Sequence, residues 1–121
     1  MRALDLDYML GLVPVILGYV PLTLFMAVAG MVFALILASL LAVERVAKVP
    51  VLDWFVIVFI SFFRGTPLLV QIFIFYFFVG TVLSLSRMTA GVAALAVFTG
   101  AYIAEIVRAG IESIPKGQME A

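Results

Sequence analysis

Charged residues fall along this chain in clumps, and the apolar runs between them are as long as membrane-spanning helices. Arg2, Asp5 and Asp7 crowd the start, and the next charge is Glu44. A spanning helix needs about 20 apolar residues, so this first run is too long for one helix at ordinary tilt. Gly11, Pro14, Gly18 and Pro21 punctuate its first half. That punctuation predicts a short interfacial segment over 8–19 and a first span over 20–43, with Pro21 in the first helical turn, where a missing N–H matters least. Inside the span Gly30, Ala34, Ala38 and Ala42 recur every four residues. Such a stripe of small side chains lets a second helix approach closely.

Glu44, Arg45 and Lys48 open the next segment, followed by Pro50, Asp53, Trp54 and a run of Phe, Val and Ile. This order predicts a turn and then an interfacial helix, with Trp54 at the headgroup level that suits an amphipathic ring. A second span is predicted over 66–85, between Arg64 and Arg87. Gly65 permits a sharp change of direction at its start, and Pro67 is tolerable as an early helical residue. The third span, 88–108, continues without a helix breaker into Glu105, Arg108 and Glu112, before Pro115 and Gly117. Ala96, Gly100 and Ala104 repeat the small stripe. With three spans, Arg45, Lys48, Arg64, Arg108 and Lys116 share one side against Arg2 and Arg87 on the other. The excess of Lys and Arg on cytoplasmic loops then puts the N-terminus outside. The acidic start and the length of the apolar run do not fit a secretory signal peptide.

Composition sharpens this picture. Of 121 residues, 67% are hydrophobic and 12% charged, against about 45–50% and about 25% in soluble domains. With a mean hydropathy of +1.35, the chain reads as all-α, a single polytopic membrane domain over 1–121. Zero Cys and zero His remove thiolate and imidazole chemistry and every N/S metal site, so no metal is expected. Seven basic residues balance seven acidic ones without a basic cluster, which argues against nucleic acid as a partner.

Few side chains remain to carry chemistry. Arg64, in Ser-Phe-Phe-Arg-Gly-Thr-Pro-Leu-Leu over 61–69, is either an anchor reaching for the interface or part of a functional site, since a charge held at the bilayer centre costs roughly 2.5–3.5 kcal/mol on insertion scales. Glu105, Arg108 and Glu112 are spaced i, i+3 and i+7, share one helix face and can neutralise one another. Glu105 follows the apolar run directly, where an ionisable residue is a functional candidate. Thr66, Gln71 and Tyr102 can offer hydrogen bonds to a polar solute or to a neighbouring helix. The tail from Ser113 through Ala121 is polar, carries Pro115 and Gly117, and reads as a docking loop or a frayed end.

The strings SFFRGTPLLVQIFIFYF, GAYIAEIVRAGIESIPKGQMEA and LTLFMAVAGMVFALILASLLAVERV resemble the permease subunits of bacterial ABC importers for polar amino acids, of the histidine and glutamine type. Motif residues Arg64, Gly65, Pro67 and Arg108 belong to this resemblance, which covers nearly the whole chain. It implies a type I importer fold and a place in the bacterial cytoplasmic membrane. The implied partners are two cytoplasmic ATPase subunits, a second permease subunit and an external substrate-binding protein. ATP and Mg would then be bound by the ATPase, and this chain holds no cofactor and is no enzyme. In such permeases a loop beginning Glu-Ala-Ala contacts the ATPase. Glu120 and Ala121 match its first two positions, so the resemblance implies coupling through Ser113, Ile114, Pro115, Lys116, Gly117, Gln118, Glu120 and Ala121. Further spans follow that loop in the family, so the chain corresponds to the N-terminal portion. Thr66, Gln71, Tyr102 and Glu105 are the expected substrate path. The rival readings are a permease for another small solute and a non-transporting membrane scaffold, which would have no use for an ionisable stripe beside the bilayer.

Overall fold

A computed structural model describes residues 5–121, which fold as helices and turns with no strand among them. Helix α1 (Leu6–Ala47) starts where the Asp5 carboxylate accepts a hydrogen bond from the Tyr8 N–H at 3.5 Å. It ends on Lys48, whose left-handed backbone (φ 52°) turns its N–H back to the Glu44 carbonyl at 2.8 Å, the usual way to occupy a last-turn carbonyl. The expected break between an interfacial segment and a first span is absent, because α1 runs unbroken through Pro14 and Pro21. A proline inside a helix costs about 3 kcal/mol by the measure of water-soluble helices. Each proline removes a single N–H, and the residues on either side keep their own bonds, so the helix continues through both. At 42 residues the helix is about 63 Å long, twice the roughly 30 Å of a bilayer core. Glu44 and Arg45, expected in a turn, lie in its last turns.

The principal seam joins α1 to α5 (Arg87–Glu112). The stripe of Gly30, Ala34, Ala38 and Ala42 is buried against it, as are Ala96, Gly100 and Ala104 on α5. Their smallness is required. A Cβ on Gly30 would lie 3.1 Å from the Leu95 Cβ, and one on Gly100 would lie 3.1 Å from Leu37 Cδ2 and 3.2 Å from the Ala34 carbonyl oxygen. Gly30 meets Leu95, Ala34 meets Gly100, and Ala38 packs with Ala104, so the two helices run parallel. Residues 5–25 of the chain are exposed and stand beyond the seam.

Two parallel helices demand a return crossing between them. It is built from α2 (Leu52–Gly65), α3 (Leu68–Phe73), a π-helical turn (Ile74–Val79) and α4 (Gly80–Val82). The expected second span thus corresponds to Leu68–Val82, bent by 108° from α2. By length and apolarity α1 and α5 each suffice to cross a membrane, and the bent pair makes a third crossing if counted as one span. Gly80 lets the π turn pack, because a Cβ there would sit 2.9 Å from the Phe75 carbonyl oxygen. The segment leaves through Ser84 (φ 52°), with the Leu85 N–H returning to the Gly80 carbonyl at 2.8 Å. Ser86 then caps α5, its hydroxyl accepting from the Thr89 N–H at 3.1 Å. Past α5, Pro115 precedes a single exposed turn, α6 (Lys116–Met119).

Candidate functional site

The corner between α2 and α3 leaves backbone carbonyls that no helix can use, because Gly65 ends one helix and Pro67 brings no N–H. Thr66, Gln71 and Tyr102 supply the missing donors. The Thr66 hydroxyl donates to the Phe62 carbonyl at 2.7 Å. Gln71 is 1% exposed, and its Nε2 donates to the Phe63 carbonyl at 2.7 Å and the Thr66 carbonyl at 2.9 Å. From α5, the Tyr102 hydroxyl donates to the Arg64 carbonyl at 3.0 Å. Three residues expected on a solute path therefore meet at one corner, each engaged with main chain.

Below the corner lies a cluster of charge. Arg108 grips Glu105 with Nε at 3.3 and 3.2 Å from its two oxygens and Nη2 at 2.9 Å, and reaches Glu112 with Nη1 at 2.6 Å. The shared face read from the spacing of these three residues is thus formed. Arg45 of α1 and Arg64 of α2 also point at Glu105, with nearest approaches of 3.7 and 3.9 Å. The Arg64 guanidinium lies 5.4 Å above the Tyr102 ring, a cation–π distance. Asp53 takes the other end of Arg45 at 2.6 Å. One carboxylate thus answers three guanidinium groups brought from three helices.

Sequence reading missed Arg45 and Asp53 here, having placed both at the interface, although their i, i+8 spacing across a turn is a usable signal for an ion pair. It also missed Glu44, which is buried with neither carboxylate oxygen hydrogen-bonded among the described residues. Arg45, Ser61, Arg64 and Glu105 border a cleft of about 110 Å³, floored by Ile57 and Ile60. A larger groove of about 490 Å³ runs along α2, lined by Leu41, Val56, Phe59 and Phe63 among other apolar residues. It offers no group to orient a polar solute, whereas the small cleft is bordered by charge. Ser113 donates through its hydroxyl to the Gly110 carbonyl at 2.7 Å and closes α5. Ile114, Pro115, Lys116, Gly117, Gln118, Glu120 and Ala121 follow on an exposed surface at the charged end of the bundle. Among the described residues no group of His, Cys, Asp or Glu has the arrangement of a metal site.

Residues 30–121 match the family described as binding-protein-dependent transport system inner membrane component. The probable amino-acid ABC transporter permease protein PatM of Vibrio harveyi is 46% identical over 121 residues, covering 97% of this chain and 54% of PatM. The probable amino-acid permease protein YxeN of Bacillus subtilis is 42% identical, over all of this chain and 56% of YxeN. The L-cystine transport system permease protein TcyL, also of Bacillus subtilis, is 37% identical over 99% of this chain and 54% of TcyL. A crystal structure of an amino acid ABC transporter with histidines superposes with a TM-score of 0.83 and 29% identity, over 98% of this chain and 56% of that one. The chain spans about half the length of the curated relatives it matches.

Proposed function

From the premise that this chain belongs to the family of binding-protein-dependent transport system inner membrane components, we propose that it forms the first spans of a permease subunit importing amino acids across the bacterial cytoplasmic membrane. The similarity, over almost its whole length, to proteins named as amino-acid permeases carries this reading. Relatives named for amino acids in general and for L-cystine in particular share the α-amino acid headgroup, so a class of substrate follows and not a single member. The ionic cluster favours a polar solute over a scaffold role, because helices that only hold neighbours together need no ionisable group beside lipid.

In this reading the N-terminus is outside and the end carrying Arg45, Arg64 and Arg108 faces the cytoplasm. Glu105 pairs with the substrate ammonium, and Thr66, Gln71 and Tyr102 offer neutral hydrogen bonds once the corner they fasten loosens. The partners are a second permease subunit, an external binding protein and two ATPase subunits, which bind the ATP and Mg that drive the cycle. Residues 113–121 contact the ATPase, with α6 at the centre of that contact. ATP can shift the permease between outward and inward forms only if the tail contacts differ between them.

The test is co-purification. Membranes carrying the full-length protein are solubilised and the associated ATPase is captured, with and without alanine at Pro115, Lys116, Gly117 and Gln118. Loss of the ATPase on replacement supports the coupling role. An unsubstituted protein that brings down no ATPase overturns the importer reading in favour of the scaffold.

A further inference from the structure

The charge cluster has more donors than it uses. Arg108 already holds both oxygens of Glu105, and Asp53 holds one end of Arg45. The Nε of Arg45 is buried without a hydrogen-bond partner among the described residues, and its 3.7 Å separation from Glu105 is too long for one. Arg64 approaches Glu105 only to 3.9 Å, with its guanidinium over the Tyr102 ring. Both arginines border the same cleft, beside the Ser61 side chain and the Glu105 carboxylate. A buried N–H without an acceptor, as at Arg45, costs free energy, and two guanidinium groups around one void present an anion site. A carboxylate on the adjoining wall completes a pattern of opposite charges a few ångströms apart.

We propose that this cleft receives the zwitterionic headgroup of an α-amino acid, with Arg64 and Arg45 taking its carboxylate, the Ser61 hydroxyl donating beside them, and Glu105 taking its ammonium. The inference rests on the amino-acid reading above and adds the half of the site that binds the carboxylate. Volume limits what enters. At about 110 Å³ the cleft is well below the roughly 300–1,000 Å³ of sites that enclose a whole small molecule. The headgroup fits and the side chain stays outside, so the cleft selects for α-amino acids as a class and leaves the side chain to be read elsewhere. Arg64 is the more exposed of the two arginines, its side chain 44% accessible against 17% for Arg45, and is the first to meet an incoming carboxylate.

The test uses the full-length permease assembled with its ATPase and measures binding calorimetrically for three ligands: a transported L-amino acid, its methyl ester, and the corresponding amine without the carboxyl group. The unsubstituted complex binds the acid at least roughly tenfold more tightly than the other two, the scale of one lost charge-assisted hydrogen bond. Arg64→Gln weakens the acid by about that factor and leaves the ester and the amine nearly unchanged, closing the gap. Arg64→Lys, which keeps the cation, retains most of it, and this retention distinguishes a lost contact from a damaged fold. A gap between acid and ester that survives Arg64→Gln overturns the carboxylate site while the amino-acid reading stands. An unsubstituted complex that binds no amino acid overturns both.

Discussion

The same two helices meet in two different ways along their length. Between Gly30 and Ala42, α1 lies against α5 through a stripe of glycine and alanine, with Leu37 and Leu95 reaching across it. Below it, at Arg45, Glu105 and Arg108, the contact changes to a ring of charges that leaves a cleft open and donors unfilled. The upper seam is closely packed, with Ala34, Ala38 and Ala104 fully buried. The lower end is open, since Arg45 and Arg64 stand too far from Glu105 to hydrogen-bond it, and an added ligand can change it. A closely packed seam and an open charged end on one helix pair suit the transport role proposed above, since a change confined to the charged end does not require the helices to separate.

The largest effect is expected from breaking the seam. Gly100→Leu puts a side chain where even a Cβ lies 3.2 Å from the Ala34 carbonyl oxygen, a backbone atom that cannot rotate away. A loss of about 3 kcal/mol or more, toward the upper end for overpacking, is the expected outcome, read as a collapse of the melting temperature of the full-length protein in detergent. An unshifted melting curve would show that the helices are not held at this distance. Next comes the corner. Gln71→Leu keeps the volume but abandons the Phe63 and Thr66 carbonyls, and unsatisfied buried acceptors cost about 1–3 kcal/mol. Hydrogen exchange then rises locally over 62–72 while the seam stays protected, and uniform exchange would mean that the corner is not a separate unit.

What sequence could supply follows from how far apart the interacting partners are. A stripe at every fourth residue is a property of one helix, so Gly30, Ala34, Ala38 and Ala42 were legible without knowing what they touch. Thr66, Gln71 and Tyr102 were legible as polar groups among apolar ones, but not their acceptors, because the Tyr102 bond spans 38 residues and the carbonyls it serves exist only once the corner has formed. Pro14 and Pro21 misled for a physical reason, since each removes one hydrogen bond of the many in a 42-residue helix and does not by itself end it. The face of Glu105, Arg108 and Glu112 was legible from i, i+3 and i+4 spacing. The arrival of Arg45 and Arg64 was not, because it depends on three helices converging.

Glu105→Gln tests the open end itself. The change removes the one counter-charge shared by three arginines, but the glutamine oxygen still accepts from Arg108 and leaves no acceptor unfilled. The loss is therefore expected toward the lower end of the range of about 1–3 kcal/mol for a lost buried partner, below the seam and the corner. Function is expected to suffer more than stability. Uptake falls, and the preference for amino acids over analogues that lack the amino group narrows, in a full-length transporter that still assembles. Uptake and preference identical to the unsubstituted protein would remove Glu105 from the path and leave it a purely structural charge.

The smallest effect sharpens the comparison from the other side. Glu112 meets the same Arg108 as Glu105, at the shorter distance of 2.6 Å against 2.9 Å, so distance alone would rank it the stronger partner. Exposure reverses the order, since the Glu112 side chain is 45% accessible and that of Glu105 only 19%. Ion pairs in water gain little, because solvent screens the attraction and ordering two long side chains costs entropy. Glu112→Gln is therefore expected to leave the melting temperature of the full-length protein where it was and to spare uptake, while Glu105→Gln lowers both. A loss on Glu112→Gln equal to that on Glu105→Gln would mean that the end of α5 is buried in the assembled transporter. Glu112 would then belong with Glu105 to the working part of the open end, and exposure in the isolated chain would not separate the two.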